Sequence, residues 1–174
     1  VGVSGRQRVL VYNPELVAED ELPESVFDLT GAEYEDRVAV APTNASFQDF
    51  VTAMRSDIGD DETTAFLTGL ADNGARSYDN NNAIVEAVGR GEIAMGLVNH
   101  YYNERAKAED PDASSENHYF ADGDLGGIVL FTAATVLESS DGQEGAQDLI
   151  EFLLSPEAQA FYAEETLEYP LATD

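Results

Sequence analysis

Apolar runs of strand length alternate with segments whose apolar residues recur at helical spacing, along almost the whole chain. Residues 8–12 (RVLVY) read as a short strand stopped by Asn13-Pro14, and residues 38–41 (VAVA) as a second, closed by Pro42. Within residues 46–55, Phe47, Phe50, Val51 and Met54 fall at i, i+3, i+4 and i+7, one apolar face of a helix. Residues 62–71 repeat that pattern with Phe66, Leu67 and Leu70, and Asn73-Gly74 ends the segment. A short helix over residues 83–89, terminated by Gly91, precedes a strand over residues 93–98 and a polar helix beginning near Tyr101. Residues 127–136 read as a buried strand pair or one long strand. Two helices close the chain, one over residues 144–154 and one with Ser155 as N-cap and Pro156 in first position. Strands alternating with helices predict an α/β architecture, with a mostly parallel sheet flanked by helices.

Charge narrows the function classes. The 174 residues carry 35 acidic against 8 basic side chains, a net charge of −27. That balance excludes non-specific nucleic-acid binding and an anionic-membrane surface role, because both need Lys/Arg patches. The carboxylates are scattered through every segment rather than blocked into a tail, and Lys107 is the only lysine. A surface of this kind suits a halophile, since in molar salt the Debye length falls to about 3 Å and the repulsion is screened. With no cysteine there is no disulfide, thiolate chemistry or Cys-type metal site. No Gly-x-Ser-x-Gly, HExxH or P-loop pattern occurs, and two histidines offer little for acid–base work, so an enzyme is not expected. The acidic loops Asp110-Pro-Asp112 and Asp122-Gly-Asp124 lack EF-hand spacing. No run of 18 apolar residues occurs, and Arg6 and Arg8 make the opening residues unlike a signal peptide.

Three strand-to-helix junctions concentrate polar side chains: Asn44-Ala45-Ser46, the asparagines 80–82 with Asn81 or Asn82 as cap, and Asn99. Ser46 with Asp49 has capping-box spacing. In an open α/β sheet, ligands bind at the carboxyl ends of strands, where helix N-termini present unpaired N–H groups suited to an anion. Simple capping is the better account of any one junction taken alone. Directly after Asn99 and His100 comes the pair Tyr101-Tyr102, which a strand-to-helix turn can aim into one cleft. A phenolate is a hard oxygen donor with a free pKa near 10, so ferric iron is the natural cation to displace its proton. Packing is the competing account of such a pair.

The segments SGRQRVLVYN, APTNASFQDFVTA, YDNNNAIVEAVGRGEIAMGLVNHYYN and LLSPEAQAFYAEETLEYPL together resemble the ferric-iron-binding substrate-binding proteins of ABC transporters. These are transferrin-like members of the type II periplasmic-binding-protein fold. The resemblance implies a two-lobed clamp that closes on Fe³⁺ and delivers it to a membrane permease from an extracellular, cell-surface or periplasm-equivalent location, with a membrane anchor. It implies Tyr101 and Tyr102 as iron ligands, and a synergistic anion, phosphate or carbonate, held by Asn44, Ala45, Ser46, Asn81 and Asn99. Some family members carry a further tyrosine ligand in the first of these loops; Ala45 stands there, which favours the anion-assisted version. By the same resemblance residues 9–129 form the second lobe, and residues 1–8 and 130–174 belong to the hinge and to a first lobe that is mostly missing. Ile150, Leu153 or Phe161 is then expected to lie exposed, unless a companion segment or self-association through residues 130–174 covers it. The main competitor is a lobe of the same fold that binds another metal, a metal chelate or an oxyanion.

Overall fold

Strand β1 (Gly2–Tyr12) organises the chain, because its two halves belong to different units. The computed structural model describes residues 1–172. They divide into a larger unit, Gln7–Ile128, and a smaller one made of Val1–Arg6 with the residues from Val129 onward.

In the larger unit the chain runs β1, β2 (Val38–Val40), α1 (Ala45–Ile58), α2 (Asp60–Asp72), β3 (Arg76–Ser77), α3 (Asn81–Gly89), β4 (Met95–Asn99), α4 (His100–Glu109) and β5 (Glu116–His118). The strands lie in the order β3-β2-β4-β1-β5. The α/β expectation holds, but the sheet is mixed rather than mostly parallel. Strand β2 is parallel to β3 and β4, whereas β1 is antiparallel to both β4 and β5. A helical crossover connects β2 to β3 and β3 to β4, as parallel pairing requires; β1 enters the unit at Gln7 with no crossover helix before it.

Alternation along β1 builds two cores. Leu10 and Tyr12 join Met95 and Leu97 on the face covered by Phe47, Phe50 and Met54 of α1 and Phe66 and Leu70 of α2. Val9 and Val11 point oppositely, and pack with Ala39, Val98 and the Ile84, Val85 and Val88 stripe of α3. Both faces are covered, so β4 is buried at every position. Burial of each large side chain stabilises by roughly 1.5–3 kcal/mol. The connection from β1 to β2 is made of short 3₁₀ turns latched by Asp124, whose carboxylate accepts from Val26 N at 3.0 Å, Gly126 N at 2.7 Å and Ser25 Oγ at 2.6 Å. Asp124 is thus committed to the backbone. No cluster of three or more potential metal-ligating acidic or histidine side chains occurs among the described residues.

The smaller unit pairs the first half of β1 with β6 (Val129–Ala133) and β7 (Tyr169–Pro170), and adds α5 (Gln143–Leu153) and α6 (Pro156–Phe161). Ser155 caps α6 by accepting from Ala158 N, with Pro156 first, as its sequence predicts. The buried amide of Gln159 uses both its ends. Its Nε2 donates to Val3 O at 3.1 Å and Leu153 O at 2.8 Å, and its Oε1 accepts from Leu171 N at 2.8 Å and Ala172 N at 3.0 Å. Residues 127–136 are not a buried strand pair: β6 is five residues long and largely exposed, with Leu130 half-buried and Phe131 64 % accessible. Helix α5 buries none of its residues. Phe161 is exposed as expected, while Ile150 and Leu153 are half-buried and Leu149 and Phe152 take the exposed positions. The final two residues of the segment assigned to the first lobe, 173–174, lie outside the described residues. No helix among the described residues is long and apolar enough to cross a membrane.

Gly96 in β4 is where α3 comes closest to the sheet: a Cβ there would collide with Ile84 Cγ2 and lie 3.1 Å from Ala39 Cβ. Gly96→Ala should therefore destabilise the fold by about 1–3 kcal/mol through overpacking, read as a lower midpoint in urea with an unchanged slope.

Candidate functional site

The polar residues singled out at the junctions meet at helix N-termini of the larger unit. Helix α1 is capped by Asn44, not by Ser46, whose place as second helical residue rules out a capping box with Asp49. The Asn44 Oδ1 accepts from Ser46 N at 3.1 Å and from Ser46 Oγ at 2.7 Å. Ala45 is the first helical residue and offers only backbone, with no side chain beyond Cβ to block an approaching ligand. Helix α3 is capped by Asn80, which accepts from Ala83 N, rather than by Asn81 or Asn82. Three consecutive asparagines have equal capping preference, and the chain uses the first. That choice releases Asn81 to turn inward. It is 1 % exposed, and its Nδ2 donates to Ser46 Oγ at 3.1 Å and Asn44 Oδ1 at 3.4 Å. Asn81 thereby ties the start of α3 to the start of α1, and its Oδ1 has no hydrogen-bond partner among the described residues.

Asn99 ends β4 and stands at the N-cap of α4 without using its side chain as a cap. Its Oδ1 accepts instead from Nη1 of Arg8 at 3.3 Å, across the β1–β4 pair where the two residues lie opposite one another. Sequence reasoning missed Arg8. Its signal was a cation abutting the apolar run Val9–Val11 with no acidic neighbour in sequence to neutralise it. The side chain is 1 % exposed and lies over the rings of Phe47 and Phe50, 5.9 and 5.5 Å from their centroids. Burial pushes the Arg8 guanidinium down to about 9, against the opposing pull of Tyr101 and Tyr102, so it stays charged at neutral pH. Arg8 Nε, Arg8 Nη2 and Asn99 Nδ2 are all buried without an acceptor among the described residues. Buried donors left without partners cost about 1–3 kcal/mol each, and charged ones more. An anion lodged there removes the deficit.

Tyr101 and Tyr102 occupy the first turn of α4, both half-buried, with rings stacked at 4.3 Å and 29°. Tyr102 packs on the α3 core and Tyr101 carries the Arg105 guanidinium over its ring. Residues of β5 and its approach fix this turn. Asn117 Nδ2 donates to His100 O at 3.0 Å and Glu104 Oε1 at 2.8 Å, Ser115 Oγ donates to the buried Asn103 at 2.6 Å, and Lys107 pairs with Glu116 at 2.7 Å. His100 is buried, and its Nδ1 accepts the Gln7 N–H at 3.2 Å, which fixes the neutral ring. His118 lies against Pro23 O at 2.7 Å. An apolar cavity of about 500 Å³ lies elsewhere, between α1, α2 and the β2–β3 edge (Val40, Val51, Leu67, Leu70), and presents none of these polar groups.

Chemically, the arrangement offers two phenols on one turn, a buried cation and unsatisfied donors beside them. Phenolates suit a hard trivalent cation, and the donors suit an anion.

The chain is 32 % identical over 161 residues to the Fe(3+)-binding periplasmic protein of Serratia marcescens, covering 91 % of this chain and 47 % of that protein. It is 31 % identical over 173 residues to the major ferric iron-binding protein of Neisseria meningitidis serogroup B, covering 98 % and 52 %. Among solved structures, iron-bound HitA from Pseudomonas aeruginosa superposes with a TM-score of 0.90 at 36 % identity, over 99 % of this chain and 56 % of that one. A Trichodesmium protein in complex with iron and citrate superposes with a TM-score of 0.87 at 27 % identity, over 99 % and 57 %. The chain thus spans about half the length of the relatives it matches. Residues 1–174 match the bacterial extracellular solute-binding protein family, and the chain belongs to it.

Proposed function

We propose that the larger unit is the iron- and anion-holding lobe of an extracytoplasmic binding component that serves an iron(III) ABC importer. The observation that carries this reading is the juxtaposition of the Tyr101–Tyr102 pair with the buried, charged and incompletely bonded Arg8. Tyr101 and Tyr102 supply two phenolates to Fe³⁺, each losing its proton to solvent as the metal binds. The anion, phosphate or carbonate, takes the donors of Arg8 and Asn99 and the first N–H of α1, with Ser46 re-aiming its O–H, and Asn81 its N–H, from the partners each has without the anion. Asn44 contributes by holding Ser46 in place, since its own Oδ1 is already occupied. In this scheme iron and anion are cargo, and a membrane permease receives them. The remaining ligands come from chain outside the larger unit. Residues 9–129 serve as the second lobe, and residues 1–8 and 130–174 as the hinge and part of the first. The acidic surface adapts the protein to high salt outside the cell, where an anchor holds it at the membrane.

A specific observation favours a narrower second reading, an oxyanion-binding lobe: the unsatisfied donors belong to Arg8 and Asn99, not to the phenols. Titration with Fe³⁺, with and without phosphate or carbonate, separates the two. Ferric binding gives a visible phenolate-to-iron charge-transfer band that weakens in Tyr101→Phe and Tyr102→Phe and vanishes in the double variant. Anion uptake without any band under any anion leaves the oxyanion reading alone.

Arg8→Met should weaken phosphate binding by about tenfold or more, by removing a charge-assisted donor, when measured by calorimetry. The same variant should be at least as stable to heat as the wild type, because it replaces an incompletely paired buried charge with an apolar chain. A variant that is less stable yet binds phosphate normally would assign Arg8 a purely structural role.

The exposed Phe131, Leu149, Phe152 and Phe161 of the smaller unit are covered, in this reading, by further chain of the same lobe or by a second copy. The isolated 174-residue chain should therefore associate with itself as its concentration rises in sedimentation velocity, and Phe152→Glu should reduce that association.

A further inference from the structure

Eight side chains of this protein carry a positive charge, and those that pair with carboxylates among the described residues include Arg37, Arg55, Arg90 and Lys107. Two cations act on the tyrosine pair. Arg8 does so electrostatically from the buried side, and Arg105 lies with its guanidinium carbon 4.6 Å from the centroid of the Tyr101 ring. In a chain of net charge −27, that is a concentration of positive charge where two phenols meet. The Arg105 contact follows from the helix itself, since Tyr101 and Arg105 stand at i and i+4 on α4 and share a face. Tyr102 is stacked on Tyr101 at 4.3 Å. Two groups this close to one ring cannot occupy the same face, so Tyr101 is held between a second phenol and a cation.

We infer that Arg105 is a positioning and tuning residue for the ferric site, an inference that rests on the reading of Tyr101 as an iron ligand. A cation over an aromatic face is attracted by the ring's negative quadrupole. When Fe³⁺ displaces the phenol proton, the ring gains electron density and the attraction grows. Arg105 therefore stabilises the metal-bound ring more than the free one, which raises affinity for the cargo. It also helps hold the Tyr101 ring against that of Tyr102 before metal arrives. The same positive charge lowers the energy of the phenolate electrons, so the charge-transfer transition of the wild type lies at shorter wavelength than it would without Arg105.

The test is ferric titration of the 174-residue chain with saturating phosphate, comparing wild type with Arg105→Met, Arg105→Gln and Arg105→Lys. The methionine and glutamine variants should keep the charge-transfer band, move its maximum to longer wavelength and bind Fe³⁺ about tenfold more weakly, within the usual strength of a cation–aromatic contact. The lysine variant should restore part of both. Arg105 is exposed, so thermal unfolding should be nearly unchanged in all three. A methionine or glutamine variant with wild-type band position and affinity would overturn the role of Arg105 while leaving the ferric reading intact. A wild type that develops no band would overturn the ferric reading, and the inference with it.

Discussion

A guanidinium sealed into the middle of the larger unit sets the terms for everything around it. Arg8 is 1 % exposed, and taking such an ion out of water costs several kcal/mol. Part of that cost is offset by Asn99 across the β1–β4 pair and by the rings of Phe47 and Phe50 from α1. Each of these partners holds an element in place. Asn99 ends β4 where α4 begins, and Phe47 directly follows Ser46 in the first turn of α1. The charge that costs most to bury therefore lies where the strand ends and the helix starts converge. What remains unsatisfied on Arg8 and Asn99 is the chemical demand that, in the proposed reading, a ligand meets.

Charge is unevenly distributed in this protein. The surface is overwhelmingly acidic and draws cations toward the molecule. Next to the tyrosine pair stand two of its few cations, Arg8 and, by the Tyr101 ring, Arg105. In the proposed reading, a metal that brings its own anion suits such a place better than a bare cation does, because the anion would answer the local positive charge while the phenolates would answer the metal.

How much of this was legible in the sequence differs from element to element. Apolar spacing located α1 and α2, because Phe47, Phe50, Met54, Phe66 and Leu70 all face one core. Strand direction was not legible, since no local pattern encodes that β1 enters its sheet antiparallel to β4. Nor was burial of the strand after Ile128, which is apolar in composition yet largely exposed. Strand-to-helix junctions brought Asn44, Ser46, Asn81 and Asn99 to notice, yet capping preference alone could not separate Asn80 from Asn81. Arg8 was hidden for a physical reason: a lone arginine in a strand is ordinarily a surface residue, and only tertiary packing discloses that this one is enclosed.

The amide of Gln159 has a consequence for how the smaller unit opens. One side chain accepts the backbone N–H groups of both Leu171 and Ala172 and donates to carbonyls of β1 and α5. Leu171 and Ala172 are therefore not free to fray independently of the residues that Gln159 holds. Solvent exchange at Leu171 and Ala172 requires α6 to release its hold on β1, which makes the terminal strand, the helix and the strand edge one cooperative opening unit.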